Sequence, residues 1–163
     1  MKCLGLDLST TTCGYAITEN KKIIVAGFID ISKVSTYQEK ADLIIKTLVG
    51  QTFDKIIIEE SLFGFARGGT SQQVIIKLVK NKAVVGFILE NHYKVPVESI
   101  HAQTARKKAL GAARVKGIKP KEYVKMTVEK MYDMKPWTIS NTKGNPDKRT
   151  EDMYDALVLS LAG

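Results

Sequence analysis

Three extended apolar segments lie within the first thirty-one residues, separated only by turn signals. That crowding leaves few folds open. Residues 2–8 read as a strand, Thr10–Gly14 as a turn and Tyr15–Thr18 as a second strand. Asn20-Lys-Lys is the next turn signal, and a third strand covers Ile23–Ile31. Strands this close pair as an antiparallel meander. The pattern then changes period. Tyr37–Val49 places Ala41, Ile44, Ile45 and Leu48 at helical spacing and ends before Gly50. Lys55–Glu59 is a short, continuously apolar strand, as expected for one covered on both faces.

Gly64–Gly69 reads as a flexible loop, and Thr70 or Ser71 as the cap of a long helix reaching about Asn91. Residues 83–89 of that helix are apolar nearly all round, which suits burial by the sheet on one side and a second subunit on the other. Gly86 would allow close approach there. Val95–Ile100 is a further strand and Gln103–Leu110 a short basic helix. A basic, glycine-punctuated connector follows. Pro120 suits the first position of a helix reaching about Asp133. Residues 137–149 are polar, and Thr150–Leu161 is the closing helix. The sum is an α/β fold with a mixed five-stranded sheet, three antiparallel strands then parallel ones, flanked by helices. Residues 1–163 are expected to form one domain, with no repeats.

The hydrophobic share of 44% indicates a folded chain rather than a disordered one. No apolar run reaches the ~18 residues of a membrane span. Lys2 and Asp7 bracket too short an apolar stretch for a secretory signal. A cytoplasmic protein is expected. Cys3 and Cys13 then read as reduced core thiols, although they flank a hairpin and could lie close together. With only His92 and His101 beside them, a structural zinc site is not expected.

Net charge is +8, and its placement is informative. Residues 94–149 hold 14 Lys/Arg and 5 Asp/Glu, a balance of +9, while the remainder holds 11 and 12, a balance of −1. One stretch carries all the excess positive charge, which favours a nucleic-acid partner over general solubility. Solvated helix faces are the bland alternative.

Set against that basic stretch are carboxylates at strand and helix ends. Asp7 interrupts a strand that is otherwise Leu4, Gly5, Leu6 and Leu8, where aspartate is depleted. Glu59 and Glu60 end the Lys55–Glu59 run. Adjacent strand residues face opposite ways, so only one of these two can join Asp7, and the residues alone leave the choice open. Asp152 and Asp155 are three apart on the closing helix and share a face. Helix-start electrostatics account for Glu151 and Asp152, but less well for Asp155. Gathered together, such carboxylates repel unless Mg²⁺ or Mn²⁺ neutralises them. Two ions ~4 Å apart would clamp attacking water and leaving oxygen in phosphodiester hydrolysis, with no protein nucleophile needed.

With these residues in place, the chain resembles the RuvC-type Holliday-junction resolvases, within the RNase H-like nuclease fold. Leu4-Gly-Leu-Asp7-Leu-Ser-Thr-Thr-Thr-Cys-Gly14 is similar to the first family motif. Ile57-Ile-Glu59-Glu60-Ser-Leu-Phe63 is similar to the second, in which the first Glu after the apolar run binds metal. Asp152-Met-Tyr-Asp155-Ala-Leu157 resembles the closing helix of the family. The resemblance therefore implies Asp7, Glu59, Asp152 and Asp155 as catalytic metal ligands, with Mg²⁺ or Mn²⁺ as cofactor, two ions per site. It implies a structure-selective endodeoxyribonuclease that cleaves Holliday junctions, and possible action on forks and flaps. The expected assembly is a homodimer, since two symmetric nicks suit a two-fold molecule, with the Ser71–Asn91 helix as candidate interface. The host would be a bacterium, phage or large DNA virus.

Arg106, Lys107, Lys108, Arg114, Lys116, Lys119 and Lys121 are the candidate phosphate contacts, Lys121 matching a basic family position near the active site. Phe63, Phe65 and Arg67 are candidates for entering the junction centre. Two departures stand out. The chain has Leu8-Ser9 where relatives often have Pro-Gly, and Leu62 where they carry a base-reading aromatic, which implies altered sequence preference. Asp7-Leu-Ser-Thr-Thr11 partly imitates the loop of sugar-kinase and chaperone ATPases, but those need a second such domain, so no nucleotide cofactor is expected. The other readings are a branched-DNA-binding protein with weak cleavage and a ribonuclease acting on RNA–DNA hybrid or ribosomal RNA precursors.

Overall fold

In the computed structural model, which describes residues 1–60 and 72–163, a five-stranded sheet runs in the order β3-β2-β1-β4-β5. Its strands are β1 (Lys2–Leu8), β2 (Thr12–Glu19), β3 (Lys22–Asp30), β4 (Lys55–Glu59) and β5 (Val97–Ile100). β1, β2 and β3 pair antiparallel, and β4 joins β1 and β5 in parallel. The mixed sheet expected from sequence is therefore present. Asn20 and Lys21 take positive φ values of 49° and 63°, as a two-residue hairpin between right-twisted strands requires.

The helices are α1 (Tyr37–Thr47), α2 (Gln72–Tyr93), α3 (Ala102–Leu110), α4 (Pro120–Met131) and α5 (Thr150–Ala162). α1 starts on a capping box that the periodicity argument passed over: the Thr36 hydroxyl accepts from the Glu39 amide at 3.1 Å, and Glu39 accepts from the Thr36 amide at 3.0 Å. Among the described residues, no helix is long and apolar enough to cross a membrane.

Two cores lie on opposite faces of the sheet. Leu4, Leu6, Leu8, Ile56 and Ile58 point into the first, with Ala41 and Ile44 of α1 and Val85 and Leu89 of α2. Ala16 and Ile57 point into the second, with Val124 and Val128 of α4 and most of α5. β4 feeds both cores, which is why its sequence is apolar without alternation.

Two boundaries differ from expectation. Thr12, Cys13 and Gly14 belong to β2, not to a turn, and pair with Asp30, Leu8 and Asp7. The turn fits into fewer residues because the Ser9 hydroxyl accepts from the Thr11 and Thr12 amides at 3.2 and 2.9 Å. β5 begins at Val97 rather than Val95, because Pro96 has no amide to donate. Cys3 and Cys13 are both buried free thiols, at opposite ends of the β1–β2 ladder, so they are not neighbours. Burial pushes both thiols up, which keeps them protonated.

Candidate active site

Strand alternation decides which side chains can meet. On β1, Leu4, Leu6 and Leu8 fill the first core, so Cys3, Gly5 and Asp7 face the α5 side. β4 runs parallel to β1 with Gly5 opposite Ile57 and Leu6 opposite Ile58. Ile57 lies in the second core, and Glu59, two residues on, shares its face with Asp7. Glu60 turns the other way. It pairs with His101 at 3.1 Å and lines a groove with Ile58 and Lys82.

Two glycines bring α5 to the same place. Gly14 stands opposite Asp7 on β2. A Cβ there would lie 2.0 Å from the Asp152 carbonyl oxygen, so only glycine lets the first turn of α5 rest on the strand. Gly5 does the same one turn later, since its Cβ would lie 2.1 Å from the Ala156 carbonyl oxygen. Helix backbone on strand backbone carries Asp152 and Asp155 to the end of β1.

The carboxylates sense one another. Burial, then the charges of Asp155, Glu59 and Asp152, push the Asp7 carboxyl up to about 8, against Lys82. Burial also raises Asp155 to about 6, opposed by Lys121 and Arg106 and reinforced by Glu59 and Asp152. Asp152 is raised by burial, with Lys121 opposing. Glu59, Arg106 and Asp155 line one small cleft. The four side chains thus converge on one sheet end, but among the described residues no group of three or more His, Cys, Asp or Glu is placed to hold an ion as it stands. The donor chemistry still fits a hard divalent cation: the carboxylates are all oxygen donors, and Asp7 and Asp155 are destabilised as anions even with Lys82, Lys121 and Arg106 opposing.

The expected basic residues divide into groups. Lys121 and Arg106 reach the carboxylates. Lys121 is held 2.9 Å from Glu151, and Arg106 donates to the Ala113 carbonyl at 3.2 Å. Lys119 joins Lys121, Lys125 and Lys148 around a cavity of about 630 Å³ that opens beside Asp155. Lys107, Lys108, Arg114 and Lys116 are exposed on α3 and the connector after it. Phe63, Phe65, Arg67, the Gly64–Gly69 loop and the Thr70/Ser71 cap lie outside the described residues.

Sequence reasoning missed Lys82, whose position on α2 carries no motif and depends wholly on how that helix packs. It also missed Arg149, at the start of α5. Arg149 pairs with Asp147 at 2.8 Å and Asp30 at 3.1 Å and stacks over Phe28, tying α5 to β3. On α2, Gly86 faces Ile58 and Val97, so its close approach serves the sheet; Val84 and Phe87 are exposed.

No protein-family model matches the chain. Among curated proteins it is 34% identical over 104 residues to crossover junction endodeoxyribonuclease RuvC of Campylobacter concisus, covering 56% of this chain and 60% of that protein. The RuvC of Campylobacter jejuni matches at the same identity and length. The match thus spans about 60% of the length of these relatives. Solved structures agree along nearly the whole chain. Thermus thermophilus RuvC in complex with Holliday junction substrate aligns with a TM-score of 0.68 at 16% identity, covering 99% of this chain and 92% of that one. The yeast mitochondrial Holliday junction resolvase Ydc2 aligns with a TM-score of 0.64 at 12% identity, covering 98% and 76%. The chain is therefore similar in sequence to RuvC endodeoxyribonucleases and has their RNase H-like fold.

Proposed function

We propose that the protein is a metal-dependent endonuclease that hydrolyses backbone phosphodiesters at four-way DNA junctions, working as a homodimer. The observation that carries this reading is the convergence of Asp7, Glu59, Asp152 and Asp155, from three separate elements, beside Lys121 and Arg106. The relatives named as crossover junction endodeoxyribonucleases and the RuvC solved with a Holliday junction support the substrate class.

Asp7, Glu59, Asp152 and Asp155 are the residues that would hold the metal. Bound Mg²⁺ or Mn²⁺ would supply charge neutralisation and a more acidic water. Every other contribution comes from the chain. Asp7 and Asp155 bind protons more tightly than ordinary carboxyls, so loading the site releases protons and tightens as pH rises through about 6 to 8. Lys121 and Arg106 act on Asp155, and their charge would lower the repulsion between acid cluster and polyanion. Lys107, Lys108, Arg114, Lys116 and Lys119 extend this positive surface along the DNA arms and would make binding salt-dependent with little base selectivity. The outward face of α2, with Val84 and Phe87, is the interface we assign to the dimer.

Purified protein incubated with synthetic four-way junctions, forks and RNA–DNA hybrids, in Mg²⁺, Mn²⁺ or EDTA, tests the reading. Paired symmetric nicks on junctions are expected with either metal and none in EDTA. Asp7→Asn is expected to bind junctions but not cut them. Cutting confined to hybrids, or normal cutting by Asp7→Asn, overturns the reading.

A further inference from the structure

Two buried polar side chains, from two different helices, hold consecutive carbonyls of the turn that follows Asp7. Asn81 of α2 is only 1% exposed, and its Nδ2 donates to the Ser9 carbonyl at 2.8 Å. Lys40 of α1 is 8% exposed, and its Nζ donates to the Thr10 carbonyl at 3.2 Å. The turn does not depend on them for closure. The Ser9 amide and hydroxyl each donate to the Thr12 carbonyl at 2.9 Å, and the Thr11 carbonyl accepts from the Ile31 amide at 2.9 Å.

Burying an amide and an ammonium is costly, and an apolar side chain would pack this interface more cheaply. Asn81 keeps part of that cost, because its Oδ1 is buried with no hydrogen-bond partner among the described residues. What the two groups add over apolar packing is directional placement of the chain just past Asp7. The next residue on α2, Lys82, lines a groove together with Ile58 and Glu60.

We propose that Asn81 is a positioning residue: by gripping the Ser9 carbonyl it fixes the end of β1 against α2, and so sets where the Asp7 carboxylate stands relative to Glu59 and Asp155. This rests on the reading of Asp7 as a metal-holding group. α2 thereby becomes part of the site, and a displacement of that helix moves Asp7. Lys40 supports the same turn from α1.

Asn81→Leu keeps the branched shape of the side chain and removes the donor. The full-length variant is compared with wild type and Asp7→Asn for Mn²⁺ affinity by titration calorimetry, for junction affinity in EDTA, and for single-turnover cleavage across Mn²⁺ concentrations. Residues that orient metal ligands typically matter by about 10- to 100-fold. The expected result is Mn²⁺ binding weakened about tenfold, junction affinity within twofold of wild type, and cleavage recovered at high Mn²⁺. A Mn²⁺ affinity within twofold of wild type overturns the proposal, even if the variant is less stable. If Asp7→Asn loses Mn²⁺ while Asn81→Leu retains it, only the role of Asn81 fails. If Asp7→Asn itself binds Mn²⁺ and cuts normally, the site reading fails. Should Asn81→Leu not fold, Asn81→Ser carries the same test with the same outcomes.

Discussion

The two faces of the sheet are covered by different kinds of contact. On the face of α1 and α2, side chains meet side chains. Even at Gly86 of α2, an added Cβ would stand 3.2 Å from the tip of Ile58 and 3.5 Å from that of Val97. On the face of α5, backbone meets backbone at Gly5 and Gly14. Flexible side-chain ends can yield by a few tenths of an ångström, but a helix backbone cannot. The carboxylates of α5 are thus placed by a contact without slack, whereas the α2 side needs a polar grip at Ser9 for comparable definition.

Gly14→Ala attacks the rigid contact and should have the largest effect. Its methyl would stand 2.0 Å from the Asp152 carbonyl oxygen, so α5 must move. A loss of about 3 kcal/mol or more is expected in urea unfolding, together with loss of junction cleavage. A cost below about 1 kcal/mol would mean that the two faces do not differ in this way.

A smaller effect is expected from charge at that same end. Asp7 holds its proton up to about 8 in the folded chain, against 3.8 for an ordinary carboxyl. Between those values the native state binds more protons than the unfolded one, so stability falls as pH rises through this window. Asp155 adds the same sign up to about 6. Without divalent metal, the wild-type Tm should therefore drop from pH 5 to pH 8.5, with a slope approaching at most about 1.4 kcal/mol per pH unit from Asp7. Asp7→Asn should flatten that slope and raise Tm at pH 8 in EDTA by about 2–4 °C per kcal/mol recovered. Parallel Tm curves for the two proteins would remove the repulsion argument.

The smallest effect should come from the yielding face. Gly86→Ala sets a methyl against the mobile end of Ile58, and it gains about 1 kcal/mol of helix propensity. A net change within about 1 kcal/mol and unaltered cleavage are expected, read by the urea midpoint and the junction assay.

Most of the architecture was legible because its signals are local. The apolar run before Glu59, the helical spacing after Tyr37 and Pro120 at a helix start each act within a few residues. The start of β2 was misread because Thr10-Thr-Thr-Cys-Gly looks like a turn, while the Ser9 side chain closes a shorter one. Asp7 and Asp155 stood out as acids in apolar surroundings. Lys82, Asn81 and Arg149 did not, because each is an ordinary polar residue until tertiary packing brings it to a carbonyl or a charge.

The amino-acid order by itself determined the alternation of strands and helices, the placing of acids at element ends and the confinement of excess positive charge to residues 94–149. Only the tertiary structure decided which of Glu59 and Glu60 shares a face with Asp7. The period-two alternation of a strand says that they face opposite ways, but not which face meets α5. The parallel register of β4 on β1, with Ile57 opposite Gly5, supplies that answer. It joins residues fifty-two apart in sequence, and no local pattern records which face of the sheet the last helix covers.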